Sequence, residues 1–188
     1  LIITTDSAGI NTLSDLKGKS ISTGEAGSVT EELAGYILKG LGLDQDVSQI
    51  SQSVNESLTA LQNGEIDAAL ITGSATNIAA FITESEMKIR LIPINSTDAE
   101  KITQANPTIF HKILIPADTL TNVETDTETL AVTLTLITTE GIPAEQISQI
   151  TAALYEEYHS VPIAGTLMEN YLHEGVKEYF EIMGIIQQ

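Results

Sequence analysis

Apolar positions along the chain fall into two alternating patterns: short β-branched runs, and longer stretches at helical spacing. Leu1 to Thr4 is an apolar run broken by Asp6-Ser7-Ala8-Gly9. Leu13 and Leu16, followed by Gly18, predict one helical turn closed by a glycine. Ser20 to Thr23 predicts a second strand, and Gly24 to Thr30 a turn into a helix over about residues 30–41. Leu33, Ile37, Leu38 and Leu41 share one face of that helix, and Gly40 and Gly42 end it. Val47 to Ser51 predicts a strand, Glu56 to Asn63 a helix stopped by Gly64, and Ile66 to Ile71 a buried strand. Thr72-Gly73-Ser74 then turns the chain into a helix over about residues 75–83.

The second half continues the alternation. Ile89 to Ile94 predicts a strand, and Asp98 to Ala105 a helix halted near Pro107. Ile109 to Ile115 and Leu130 to Ile137 predict two more strands. In the second, Leu130, Val132, Leu134 and Leu136 alternate with Ala131, Thr133 and Thr135. Pro143 suits the first turn of a helix over residues 143–158, with Ile147, Ile150, Leu154 and Tyr158 on one face. A last helix runs from Glu174 to Met183. Strands alternating with helices predict α/β units built on parallel sheet. With no internal repeat, low-complexity tract or long linker, two lobes would have to be joined by short crossing strands.

Composition narrows the function classes. The 188 residues are 42% apolar, enough for one ordinary domain or two small lobes. No apolar run approaches the roughly 18 residues that span a bilayer, so no direct membrane insertion is expected. Eight Lys and Arg face 26 Asp and Glu, a formal net charge of −18. Such a surface repels phosphate backbones, so nucleic acid is no partner. The same acidity suits a saline habitat, where counterions screen self-repulsion. The absence of cysteine removes thiol nucleophiles, cysteine-held metals and disulfides. Leu1 is not an initiator methionine and opens inside a strand, the pattern expected of a chain cut from a longer one.

The strongest candidate chemistry lies in Gly24-Glu25-Ala26-Gly27-Ser28-Val29-Thr30. Gly24 and Gly27 let the backbone turn sharply and approach a ligand. Ser28 and Thr30 supply hydroxyls, and the helix start supplies unpaired amides and a partial positive charge. Amides and hydroxyls of Gly27, Ser28 and Thr30 would then hold an anion without any Lys or Arg. The plain alternative is that Ser28 or Thr30 caps the helix, with Glu31 and Glu32 favouring its first turn. Thr72, Gly73 and Ser74 follow a buried strand, where open α/β sheets collect ligands. They either line the same cleft or form an ordinary turn capped by Ser74.

Other candidates read as structural. Arg90, the one arginine, lies between Ile89 and Leu91 in a strand-like run, so it points to the surface or into an ion pair. His111, His159 and His173 have no partners at metal-ligand spacing and suit surface or capping roles. Glu124, Asp126 and Glu128 lack the glycine and terminal acid of a calcium loop. No Gly-x-Ser-x-Gly elbow, metal cluster or distinct acid–base pair points to catalysis, and no cofactor is implied.

Several motifs stand in a familiar order. Asp6 to Ile10, Leu13-Ser14-Asp15-Leu16-Lys17-Gly18-Lys19 and Gly24 to Thr30 come first. Gly40-Leu41-Gly42-Leu43, Asn63-Gly64-Glu65-Ile66-Asp67-Ala68-Ala69 and Ile89 to Ile94 follow. Ile115-Pro116-Ala117-Asp118-Thr119, Tyr171 to Gly175, Tyr179-Phe180 and Met183-Gly184-Ile185 complete the set. This ordered set resembles the TAXI family of TRAP-transporter solute-binding proteins over nearly the whole chain.

The resemblance implies an α/β, type II periplasmic-binding-protein-like fold, with two α/β lobes joined by crossing strands and the first lobe incomplete. Residues 6–114 would form the central ligand-binding lobe, and residues 1–5 and 115–188 the remainder of the other. The implied function is a periplasmic or extracellular, non-enzymatic receptor for a small anionic solute, a carboxylate or a glutamate-like amino acid. Its partners would be membrane TRAP transporter subunits. Gly24, Gly27, Ser28, Val29, Thr30, Thr72, Gly73 and Ser74 are the candidate ligand-binding residues. The sensing domain of a signalling receptor and an enzyme of related fold acting on a small acid are the alternatives. The chain departs from the family pattern in having Val29 for a glycine, Leu70 and Ile71 for aromatics, and Leu120 for a tyrosine. The family's long N-terminal portion ahead of Leu1 is also missing from this sequence.

Overall fold

The computed structural model describes residues 1–73, 78–79, 88–120, 123–139, 141–158 and 172–184. Seven strands are described: β1 (Ile2–Thr5), β2 (Ser20–Ser22), β3 (Ser48–Ile50), β4 (Ala68–Leu70), β5 (Ile89–Leu91), β6 (Phe110–Ile115) and β7 (Thr127–Val132). The helices are α1 (Val29–Leu41), α2 (Val54–Asn63), α3 (Ser96–Ala105), α4 (Ala144–Tyr158) and α5 (Glu174–Ile182). Leu13–Leu16 is a 3-10 turn, in place of the single helical turn expected there. Of the helix expected over 75–83, only residues 78–79 are described, and they are helical. Ser74, His159, Tyr171, Ile185 and the Tyr158 side chain lie outside the described residues.

The chain divides into two compact units, Leu1–Val132 and Thr133–Gln188. In the first, five strands pair in the order β3-β2-β4-β1-β5. β2 runs parallel to β3 and β4, while β1 runs antiparallel to both β4 and β5. The sheet therefore contains the parallel pairing expected, with β1 inserted antiparallel to its neighbours. Four strands point one way, and β1 enters between two of them from the opposite direction. Residues 1–5, assigned by the resemblance to a different lobe from 6–114, thus supply an inner strand of this sheet. The fold is α/β.

The inner strands β1 and β4 are buried on both faces, which is why they read as nearly continuous apolar runs. Ile2, Ile21, Ala68 and Leu70 pack with Leu33, Ile37 and Leu38 of α1 and with Ile102 of α3. Ile3, Ala69, Ile71 and Leu91 pack on the other side with Leu58 and Leu61 of α2. Alternate residues of one strand feed opposite cores, as the pleat requires.

The helices end where local chemistry stops them. Ser28 caps α1 and Ser53 caps α2, the latter in a capping box with Glu56. Gly42 and Gly64 close the same helices in the left-handed conformation. Gly40 was expected to help end α1, but it lies inside the helix and serves packing. A Cβ there would fall 2.7 Å from the Ile102 Cα, so its missing side chain lets α1 approach the α3 backbone.

β6 and β7 form a separate antiparallel hairpin, registered from Phe110↔Val132 to Ile115↔Thr127. The strand expected over 130–137 is displaced toward its N-terminus. The register ends at Phe110↔Val132, and among the described residues no strand pairs with residues 133–137. Leu134, Leu136 and Ile137 are exposed. In the second unit, α4 and α5 meet closely at Gly175, where a Cβ would fall 2.1 Å from the Ala144 carbonyl oxygen. Tyr155 and Tyr179 meet edge to face across the same pair, their ring centroids 6.0 Å apart. On α4, Ile147 is buried while Ile150 and Leu154 of the expected face are exposed. Among the described residues, no helix is long and apolar enough to cross a membrane.

One carboxylate ties the sheet's entry loops together. Asp67, just before β4, accepts from the Ser20 amide at 2.8 Å, the Ser20 hydroxyl at 2.8 Å and Lys19 Nζ at 3.3 Å. Burial pushes its pKa up, but the Ser20 and Lys19 bonds outweigh burial and hold it below the usual Asp value.

Two predictions follow from these contacts. Gly40→Ala should lower the thermal midpoint, because overpacking of about 1–3 kcal/mol exceeds the roughly 1 kcal/mol gained in helix propensity. Gly35→Ala, in the same helix with nothing within 4 Å of its Cβ, should raise it. Because the Asp67 pKa is depressed on folding, its contribution to stability is present at neutral pH and lost as pH falls through the folded value. Urea titrations at neutral pH and near pH 3 should show a smaller acid loss for Asp67→Asn than for the unaltered chain.

Candidate ligand-binding site

β2, β3 and β4 end at one edge of the sheet, and the segments that leave them are tied together. The Thr23 amide donates to the Ile50 carbonyl at 3.0 Å, one step beyond the β2–β3 ladder. The Gly24 carbonyl accepts from the Gln52 amide at 3.2 Å and from the Ser51 hydroxyl at 3.1 Å. Gly24 has φ +93°, and a Cβ there would lie 2.6 Å from the Thr30 Cβ. Glycine is therefore required on two counts: its dihedral, and the close seating of the loop on the first turn of α1.

The first turn of α1 carries a divided set of donors. Ser28 Oγ accepts from the Glu31 amide at 3.2 Å, the ordinary cap. The Gly27 amide donates to Glu31 Oε2 at 2.7 Å, and the Ser28 amide to the Glu25 carbonyl at 3.0 Å. Two of the three amides expected to face a ligand are thus already bonded within the turn. Among the described residues, nothing bonds to the Val29 and Thr30 amides, the remaining donors of the helix start. The Val29 side chain itself is 61% exposed.

Thr30 and Thr72 are brought together from 42 positions apart, their hydroxyl oxygens 2.6 Å from each other. One of the two protons is used in that bond, and the other remains available to a third group. Gly73 follows, exposed, with φ +152°. The structure thus joins Gly24, Ser28, Thr30 and Thr72 at one edge, with Gly27, Val29 and Gly73 next to them in the chain. Ser51, Gln52 and the Glu31 carboxylate complete the neighbourhood. Sequence reasoning passed over these three as site members, although the Ser-x-x-Glu spacing from Ser28 to Glu31 is a readable capping signal.

The cations lie elsewhere. Arg90 pairs with Asp6 at 2.8 Å and also bonds Asn11, on the exposed side of β5, as expected of a surface ion pair. Lys17 pairs with Asp46 at 2.9 Å and Lys19 with Asp67 at 3.3 Å. His173 caps α5, its Nδ1 accepting from the Gly175 amide at 3.2 Å, and His111 is exposed on β6. Asp126 accepts from the Ala117 amide at 2.8 Å, a loop-closing bond. Among the described residues no group of three or more His, Asp or Glu is placed to hold a metal.

The hydroxyl bridge can be tested by itself. Thr30→Val and Thr72→Val should each lower stability by about 1 kcal/mol. The double variant should lose little more than either single one, because both remove the same bond. Urea titrations of the four proteins give the coupling; additive losses would show that the hydroxyls act separately.

A model of the NMT1-like family matches residues 1–180. The chain is also similar to solved structures. The alkanesulfonate-binding protein SsuA from Xanthomonas axonopodis pv. citri, bound to MOPS, is 17% identical, with a TM-score of 0.44 over 97% of this chain and 50% of that one. The periplasmic aliphatic sulphonate-binding protein SsuA from Escherichia coli is 17% identical, with a TM-score of 0.43 over 98% and 50%. The GluR0 ligand-binding core from Nostoc punctiforme, in complex with L-glutamate, is 24% identical, with a TM-score of 0.36 over 55% and 50%. The chain spans half the length of each of these three proteins.

Proposed function

Because the chain belongs to the NMT1-like family, we propose that it is a non-enzymatic solute-binding receptor that captures a small carboxylate or amino acid outside the cytoplasm for a membrane transporter. The ordered motifs from Asp6 to Ile185 favour the TAXI group and a TRAP-type transporter as the finer assignment. In this reading residues 6–114 are the ligand-binding lobe, and β1 is the strand by which the chain enters it. The observation that carries the proposal is the pair of unbonded amides at Val29 and Thr30, set beside the Thr30–Thr72 hydroxyl pair at the carboxyl edge of the sheet. Ser74 belongs to the proposed ligand set through its place after Thr72 and Gly73.

The mechanism follows from these donors. Two amides at the positive end of α1 and one free hydroxyl proton suit a carboxylate, whose two oxygens accept several bonds at once. Glu31 already holds the Gly27 amide, so the incoming group is seated on the Val29–Thr30 side of the turn. Contacts from a second wall would favour the closed arrangement of the lobes, and the ligand would select it. The closed surface is then what a transporter recognises.

Calorimetry on the full-length protein with glutamate, glutamine and C4–C6 dicarboxylates should show saturable, stoichiometric binding without turnover. The chain's net charge of −18 repels an anion at long range, so association should quicken as salt shortens the screening length. Absence of binding by every one of these solutes would overturn the proposal.

A further inference from the structure

Among the described residues, the Gln52 side-chain oxygen is the one buried side-chain oxygen or nitrogen that takes part in no hydrogen bond. Its position gives this meaning. Gln52 follows β3 at the carboxyl edge, and its amide donates to the Gly24 carbonyl at 3.2 Å. Gly24 is the residue seated against Thr30. Ser53, the next residue, caps α2. Gln52 therefore links two segments: its amide is bonded to the loop that leads into α1, and it immediately precedes the Ser53 cap of α2.

A buried acceptor without a donor has lost its bond to water and gained nothing in exchange. A methionine of nearly the same length would fill the same space without that loss. Unmet buried polar groups are uncommon, and they concentrate where function demands them. We infer that Gln52 is a specificity-determining residue whose side-chain oxygen accepts a hydrogen bond from an N–H or O–H group of the bound solute. This rests on the solute-binding reading. It adds that the preferred solute carries a donor in addition to its carboxylate, and it separates amino and hydroxy acids from bare dicarboxylates. Because the oxygen is buried, the donor reaches it only when the atoms around it move.

The test uses the full-length protein and three acids of one carbon skeleton: glutarate, 2-hydroxyglutarate and L-glutamate. The unaltered protein should bind one or both donor-bearing acids at least about tenfold more tightly than glutarate, the factor expected of one buried hydrogen bond. Gln52→Met should abolish that discrimination while leaving glutarate affinity nearly unchanged. Without ligand, the same variant should melt about 2–4 °C higher, because an unmet acceptor is removed. Gln52→Leu serves as a second variant of similar bulk. Discrimination that survives Gln52→Met overturns the inference. So does a fall in the ligand-free melting point of both variants, which would show that the carboxamide is satisfied in the unliganded protein. Failure of all three acids to bind the unaltered protein removes the solute-binding reading itself, and the inference with it; that outcome is distinct from binding that ignores residue 52.

Discussion

The constraint on which the first unit depends is that the inner strands of its sheet are covered on both faces. Ala68, Ala69 and Leu70 of β4 are buried on both sides, with Ala68 and Leu70 in one core and Ala69 in the other. Nothing polar can be displayed from such a strand without leaving an unmet bond in an apolar layer. Polar groups are therefore displayed at the sheet's edges, one of which is the edge where β2, β3 and β4 end. The same constraint starts α1 and α2 at that edge, because each helix must run back along the sheet to cover it. Free amides collect at the site for the reason that the cores exist at all.

Much of this was legible in the sequence, and the misses have physical causes. The α1 face of Leu33, Ile37 and Leu38 was readable because helical spacing reports burial directly. The sequence left Thr72 open between a cleft position and an ordinary turn, and its bond to Thr30 was not legible, because only the pairing of β2 with β4 brings the two segments together. The direction of β1 was not legible: a four-residue strand carries no record of its neighbours, and its antiparallel entry is a property of topology. The Gly40 role was hidden because a packing glycine and a terminating glycine look alike until the facing backbone of α3 is placed. The overextended strand at 130–137 shows the converse error. Alternation records which side chains could share a face, but a strand needs a partner, and β6 starts at Phe110.

The motifs that carry the family resemblance divide sharply between architecture and chemistry. In Leu13-Ser14-Asp15-Leu16-Lys17-Gly18-Lys19, Leu13 and Leu16 are core. Asp15 accepts from the Asn11 and Thr12 amides and from the Thr12 hydroxyl, which hold its carboxyl below the usual range. Lys17 pairs with Asp46, the Gly18 amide donates to the Asp46 carbonyl at 2.7 Å, and Lys19 reaches Asp67. Asp15 closes the turn within this loop, and the two lysines join the loop to its neighbours. Asp67, in the motif Asn63-Gly64-Glu65-Ile66-Asp67-Ala68-Ala69, is the other half of the Lys19 pair. These residues keep the strands in register; the residues that could meet a ligand are the small and uncharged ones between them.

That division bears on how so acidic a chain could hold an anion. Among the described residues, six of the eight Lys and Arg side chains are seen in ion pairs. Between Lys39 and Lys88 the sequence contains no cation at all, yet that span holds the β3 and β4 segments of the candidate site. A lysine at the site would draw toward the Glu25, Glu31 and Glu32 carboxylates around the start of α1 and lose much of its attraction for a solute. Backbone amides cannot be drawn away. Their direction is fixed by the helix, they lose no side-chain entropy on binding, and Glu31 can quench one of them without disturbing the next. In a molecule with this charge balance, the helix start still keeps the Val29 and Thr30 amides, to which no described acidic side chain bonds.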